Sequence, residues 1–227
     1  MPRTLIISDL HNRVDWVEDF IKKINPDFTV FLGDYFDSKN DSKEITAKTA
    51  YWLKKSIKHK NRWHLLGNHD LAYFFSQNKH IRITPGFTQY NLETISSILT
   101  TEEIDNCFNL VCFIEGYTLS HAGFSPELFD DNPDEKEIAR QCDEALLLLK
   151  TGQIPKIVNY WPGWNGCQIE GCLMCRWEEL GIIYNLKQIV GHSVGKDVKY
   201  NFNNVCLDTA NKHYGIIENG KLEIYER

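Results

Sequence analysis

An α/β fold with ligand-bearing strand ends is what the sequence predicts, and three observations carry that reading. Strand and helix signals alternate through the first third of the chain. Five short runs rich in Ile, Leu, Val and Phe are broken by Gly or Ser, the pattern of strands buried in an open sheet. Each of those runs ends on residue types that bind metals: Asp9 and His11; Asp34; Asn68 with His69 and Asp70; His121; and His192. In open α/β sheets, ligands bind beyond the carboxyl ends of the strands, where loops from several strands converge. The side chains offer carboxylate oxygen, amide oxygen and imidazole nitrogen but no thiolate, which suits Mn, Fe, Zn or Mg better than a soft metal.

In chain order, the first strand runs to Ser8 and residues 14–24 form an amphipathic helix. Pro26 closes that helix, because proline disfavours the helical conformation in the residue before it. A strand at 28–32, a helix at 43–58 and a strand at 63–66 complete a βαβαβ order, which favours parallel pairing with right-handed crossovers. Residues 91–108 read as one or two short helices, with Thr100-Thr101-Glu102-Glu103 resembling a capped start. Two strands then turn about Glu115-Gly116, so antiparallel pairing enters. A helix covers 133–150, with its acidic residues crowded at the start as the macrodipole prefers. Residues 151–171, including Trp161 and Trp164, have no period and read as a surface excursion that acts as a lid. Further strands follow at Gln188 and Asn204, and a hairpin turns at Asn219-Gly220. No linker interrupts the series, so residues 1–227 read as one domain.

Composition narrows the function classes. A chain of 227 residues, 42% hydrophobic, can bury a sizeable core. Its net charge of -6 argues against a general basic surface for nucleic acid; nucleic acid as a partner is not indicated by charge, although a local basic groove is compatible with it. The apolar stretch at the amino terminus is too short for a signal peptide, and no run is long enough to span a membrane. The expectation is a soluble, cytoplasmic protein with no membrane partner. Seven cysteines, an odd number, suggest reduced thiols rather than a disulfide framework. Cys167, Cys172 and Cys175 supply three of the four ligands a structural zinc needs, and buried or incidental thiols are the preferred reading.

The motifs carry the chemistry jointly. Asp9 and His11 are two residues apart at a strand end, so their side chains can face one ion. Gly33 allows close backbone approach at Asp34, whose two oxygens could bridge two ions. Gly67-Asn68-His69-Asp70 alone could be a tight turn, since Gly, Asn and Asp all favour turns. Turns do not explain five strand ends bearing ligand types in this order.

Together, Asp9-x-His11, Gly33-Asp34-x-x-Asp37, Gly67-Asn68-His69-Asp70, Ser120-His121-Ala122-Gly123 and Gly191-His192 resemble the ordered motif set of the calcineurin-like metallophosphoesterases. Within that superfamily the chain is similar to the branch of Ser/Thr protein phosphatases, bacteriophage phosphatases and bis-nucleosyl tetraphosphatases, because Ser193-Val194 rather than a second histidine follows His192. The resemblance implies two mixed β-sheets packed as a sandwich and flanked by helices. It also implies a hydrolase with two divalent metal ions, Mn first among Mn, Fe, Zn and Mg. Asp9, His11 and Asp34 would bind one ion; Asp34, Asn68, His121 and His192 would bind the other, with Asp34 bridging. Hydroxide between the ions would attack phosphorus, while His69 donates a proton to the leaving group and Asp37 orients it.

One departure bears on the substrate. The branch usually continues its second motif with an arginine that grips phosphate, but Ser38-Lys39 follows Asp37 here. Arg13, Lys39 and Arg176 are the candidate replacements, and Lys is a point charge where Arg offers a bidentate fork. The expected substrate is a phosphomonoester, on a phosphoprotein or on a small metabolite or nucleotide. A phosphodiesterase or dinucleoside polyphosphate hydrolase is the alternative enzyme, and an inactive metal-binding scaffold is the alternative outside catalysis. The sequence carries no signal for oligomeric state.

Overall fold

The computed structural model describes residues 2–38, 41–159 and 170–227. Its strands form two mixed sheets. One has six strands in the order β11-β10-β1-β2-β3-β4, and the other has five in the order β5-β6-β7-β9-β8. In the first sheet β1 (Thr4–Ile7), β2 (Phe28–Phe31) and β3 (Arg62–Leu65) are parallel, as the βαβαβ alternation predicts. The intervening crossovers carry α1 (Val17–Ile24) and α2 (Lys43–Ser56). The remaining strands of that sheet are β4 (Phe108–Asn109), parallel to β3, and the antiparallel pair β10 (His213–Glu218) and β11 (Lys221–Glu226). In the second sheet β6 (Tyr117–Ser120), β7 (Gln188–Val190) and β9 (Asn204–Cys206) run parallel. Antiparallel edges are added by β5 (Val111–Ile114) and β8 (Lys199–Asn201).

The sheets pack face to face through one apolar layer. Ile6, Val30, Leu32 and Leu65 meet Ile114, Leu119, Ile189 and Leu207, all buried. A larger cluster joins the other face of the first sheet to the helices, through residues such as Leu5, Phe31, Leu53, Phe108 and Leu149. Both faces of the central strands are covered, so β1 is buried at every position, which is why these strands read as unbroken apolar runs rather than alternating ones.

Most sequence-predicted elements are present within a few residues. Thr100 and Glu103 form the predicted capping box at the start of α5 (Thr101–Cys107), and α4 (Gln89–Ile98) precedes it. Asp134 caps α6 (Glu135–Lys150) by accepting from the Glu137 amide. Two short strands, β4 and β8, were not anticipated, because segments this short carry no readable period. More consequential is α3 (Asn68–Phe74): Asn68 and His69 open a helix rather than sit in a free turn. The Asp70 side chain reaches back to the Gly67 amide and caps that helix. Trp161, Trp164 and the central part of the expected lid lie outside the described residues.

Candidate metal centre

The five ligand-bearing runs end where predicted, three in one sheet and two in the other. Asp9, Asp34 and Asn68 follow β1, β2 and β3, while His121 and His192 follow β6 and β7. Packing the two sheets with these ends on the same side gathers residues up to 183 apart in sequence, as when the His192 amide donates to Asp9 Oδ1 at 2.9 Å. Donor atoms of Asp9, His11 and Asp34 lie within 4.8 Å of one another, as do those of Asp34, His121 and His192.

The backbone reaches this arrangement through conformations that side chains usually avoid. Asp9, His11, Asp34, Asp37 and His192 all have positive φ, from 28° to 65°. Each such non-glycine residue costs on the order of 1–3 kcal/mol and persists only where its surroundings over-determine it. Here the surroundings are hydrogen bonds: the His11 amide donates to the Asp34 carbonyl (2.8 Å). Both Asp70 oxygens accept backbone amides, from Asp34 and Gly67 on Oδ2 and from Tyr35 on Oδ1, each at 2.9 Å. That carboxylate sews the second motif to the third. Two motif glycines leave room: a Cβ on Gly67 would sit 2.1 Å from Asp34 Oδ1, and one on Gly191 would sit 2.1 Å from Asp9 Oδ2.

The imidazoles are oriented by backbone carbonyls, which can only accept. His121 Nδ1 donates to Leu32 O and His11 Nδ1 donates to Phe36 O, both at 2.9 Å, so the Nε2 lone pairs turn towards the carboxylates. The Met174 backbone faces the His192 ring, while His192 Nδ1 lies 3.0 Å from Asn68 Oδ1 and 3.2 Å from His121 Nε2. His121 Nε2 also lies 3.0 Å from Asn68 Oδ1 and 3.5 Å from Asp34 Oδ2. Burial presses the pKa of His192 down to about 3, and burial also lowers that of His121, so both rings are neutral near pH 7. Lone pairs therefore face lone pairs.

The carboxylates tell the same story. Burial, then the neighbouring charges of Asp208 and Asp34, lift Asp9 well above the usual carboxylate range, and Asp9 Oδ2 is buried without a hydrogen-bond partner. Asp34 is buried as well and faces the same rings, its Oδ2 lying 3.5 Å from His121 Nε2 and 3.7 Å from His11 Nε2. An unpartnered buried acceptor beside converging neutral nitrogens is the donor set a divalent cation would satisfy.

Beside this cluster stands a second pair. His69 Nδ1 lies 3.0 Å from Asp37 Oδ2, and its ring packs edge-on against His11 with centroids 5.2 Å apart. The His69 amide donates to Asp34 Oδ1 at 2.9 Å, so the helix start fixes this residue to the cluster. Burial would lower the His69 pKa, but hydrogen bonding to Asp37 and the charge of Asp34 carry it up to about 9. The ring is partly exposed, with 18% of its side chain accessible, where the carboxylate of Asp37 is fully covered.

Of the candidate substrate residues, Arg13 is exposed and its guanidinium donates to the Leu10 and Ala210 carbonyls. Arg176 is exposed on the segment whose Trp177 amide donates to Ser193 Oγ, beside the His192 loop. Lys39 lies outside the described residues. So does Cys167; Cys172 and Cys175 are buried free thiols whose pKa burial drives upward, to about 12 for Cys175. Sequence reasoning missed four supporting residues: Asp70 as the clasp between motifs, Asn211, and Tyr73 and Thr84 on Asp37. The Asn211 amide donates to the Ser8 and Asp9 carbonyls at 3.0 and 2.8 Å. Only Tyr73 had a readable signal, since it stands four residues after His69 and so shares its helix face.

No curated protein matches the chain. Solved structures do share its fold. A cold-active protein-tyrosine phosphatase from a psychrophilic Shewanella aligns with a TM-score of 0.61 at 17% identity, covering 100% of this chain and 78% of that one. A protein serine/threonine phosphatase from Saccharomyces cerevisiae aligns with a TM-score of 0.51 at 15% identity, covering 100% of this chain and 80% of that one. Among the described residues no helix is long and apolar enough to cross a membrane. The sequence profile of the calcineurin-like phosphoesterases matches residues 2–195, a span that holds every strand end of the cluster, so the chain belongs to that family.

Proposed function

We propose that this phosphoesterase is a metal-dependent phosphomonoesterase, a single domain over residues 1–227, acting on a phosphoprotein or a small phosphorylated metabolite or nucleotide. The observation that carries the proposal is the meeting of the His121 and His192 ring nitrogens with the Asn68 oxygen, beside the buried Asp34 carboxylate and the unpartnered Asp9 Oδ2. Asp9, His11 and Asp34 would hold one divalent ion, and Asp34, Asn68, His121 and His192 a second, with Mn preferred among Mn, Fe, Zn and Mg. When bound, such a pair supplies Lewis acidity at the phosphoryl group and hydroxide near neutral pH. The remaining work falls to the chain itself. Asp37 holds His69 by Nδ1, which leaves Nε2 to carry a proton to the leaving oxygen. Arg13, Arg176 and Lys39 are the cations available to grip the substrate phosphate.

The test is Asp34→Asn, assayed with an aryl phosphate and Mn alongside a metal determination. Turnover should fall on the order of 10³-fold and bound metal should drop; full activity would overturn the proposal. A panel of an aryl phosphate, its bis-ester, a phosphopeptide and a dinucleoside polyphosphate fixes the substrate class. Preference for the bis-ester would replace the monoester reading.

A further inference from the structure

Asp37 is held by more than its histidine. Its carboxylate is fully covered: Tyr73 Oη donates to Oδ1, Thr84 Oγ1 donates to Oδ2 at 3.3 Å, and His69 Nδ1 shares that second oxygen. A carboxylate oxygen accepts, so the Tyr73 hydroxyl is the donor in this pair. The phenol ring cannot swing away, because it stacks on Phe87 at 5.1 Å and abuts Phe36 edge-on at 5.6 Å. The loop bearing Thr84 closes on the carboxylate at Gly86, where a Cβ would come 2.9 Å from Asp37 Cβ.

We infer that Tyr73, assisted by Thr84, is a positioning residue that clamps the Asp37 carboxylate in the one rotation that aligns His69 for proton transfer. The inference rests on the reading of His69 as the proton donor. An Asp37 free to rotate would still hydrogen-bond His69, but would no longer hold the ring at one angle to the leaving oxygen. Misplacement of about 1 Å can cost a catalytic group on the order of 10²-fold. The clamp touches no candidate metal ligand, so its loss should be felt only where proton donation limits the rate.

The experiment measures kcat and KM on an alkyl phosphate, whose leaving group needs a proton, and on an activated aryl phosphate, whose leaving group does not. Wild type, Tyr73→Phe, Thr84→Val, Thr84→Ser, His69→Ala and Tyr73→Phe/His69→Ala are compared with Mn bound. Tyr73→Phe should lower kcat on the alkyl phosphate by about 10–100-fold, with a loss at least about tenfold smaller on the aryl ester and KM changed by about twofold or less. The double variant should be no slower than His69→Ala alone, since a clamp has nothing to position once the ring is gone. Thr84→Val should show the same signature at smaller size and Thr84→Ser should restore it; this pair decides the matter should Tyr73→Phe fail to fold. Equal losses on both substrates, or additive losses in the double variant, would overturn the clamp. If His69→Ala itself loses equally on both substrates, the proton-donor reading fails instead.

Discussion

β3 carries a buried polar cluster at His64, and another begins three residues past its end at Asn68. At His64 every polar atom has a partner: Nδ1 meets Tyr35 Oη at 3.0 Å, Nε2 meets Ser56 Oγ at 3.2 Å, and Arg62 bonds both Ser56 and Glu18. The ring lies flat on Phe31 at 4.8 Å. Burial, reinforced by the positive charge of Arg62, pushes its pKa down to about 3, so it is a neutral ring with both nitrogens used. At the strand-end cluster Asp9, Asp34, Asn68 and His121 are buried as well, yet acceptors point at acceptors and Asp9 Oδ2 has no partner. Burial of titratable groups is therefore no mark of function. What separates a structural cluster from a site is whether its hydrogen bonding closes on itself.

The largest expected contrast is between alanine variants of the two histidines. His121→Ala should cut phosphoesterase turnover on the order of 10³-fold. His64→Ala should instead cost about 3 kcal/mol of stability, from the cavity and two orphaned hydroxyls, with turnover per folded molecule changed less than about threefold. Urea denaturation and kinetics on both variants check this, and comparable activity loss at His64 would erase the distinction. Added Mn sharpens it further. At a hundred times its dissociation constant, an ion bound only by the folded state stabilises by about 2.7 kcal/mol. A thermal melt should show that increment in wild type and in His64→Ala but not in Asp34→Asn; an equal rise in Asp34→Asn would place the ion elsewhere.

The smallest effect is a pH dependence belonging to the closed cluster. The folded pKa of His64, about 3, lies below the ordinary value near 6.5 of an unfolded histidine. The unfolded chain therefore takes up the proton first, so stability from this residue is complete above about pH 6.5 and declines as pH falls towards 3, by roughly 1.4 kcal/mol per unit. His64→Asn keeps a donor and an acceptor without the titration. Between pH 7 and 5 its stability should fall by about 2 kcal/mol less than wild type. Parallel curves for the two proteins would show that His64 is not the titrating group.

Much of the fold was legible because buried parallel strands write themselves as apolar runs and their ends are marked by Gly or Ser. α3 was not: its seven residues are too few for a period, and Gly, Asn and Asp at its start equally suit a turn. The donor types of the cluster were legible for the same reason as the strands, since each follows a run directly. Their supports were not. Tyr73 and Asp37 are 36 residues apart, and Asn211 reaches back 202 residues to the Asp9 carbonyl. No local pattern encodes such contacts.

Residue type and local period are properties of short segments, so the atoms on offer, carboxylate, amide and imidazole, and the strand ends that carry them can be read without the fold. That these atoms meet is a consequence of folding. The stacking of two sheets brings their ends to one side, left-handed backbone at Asp9, His11, Asp34, Asp37 and His192 turns the side chains inward, and backbone carbonyls choose which imidazole nitrogen stays bare. The same tertiary packing closed the Asp37 carboxylate under Tyr73 and Thr84. Lone pairs are directed in space, and their direction is fixed by neighbours that the folded chain supplies from far along its length.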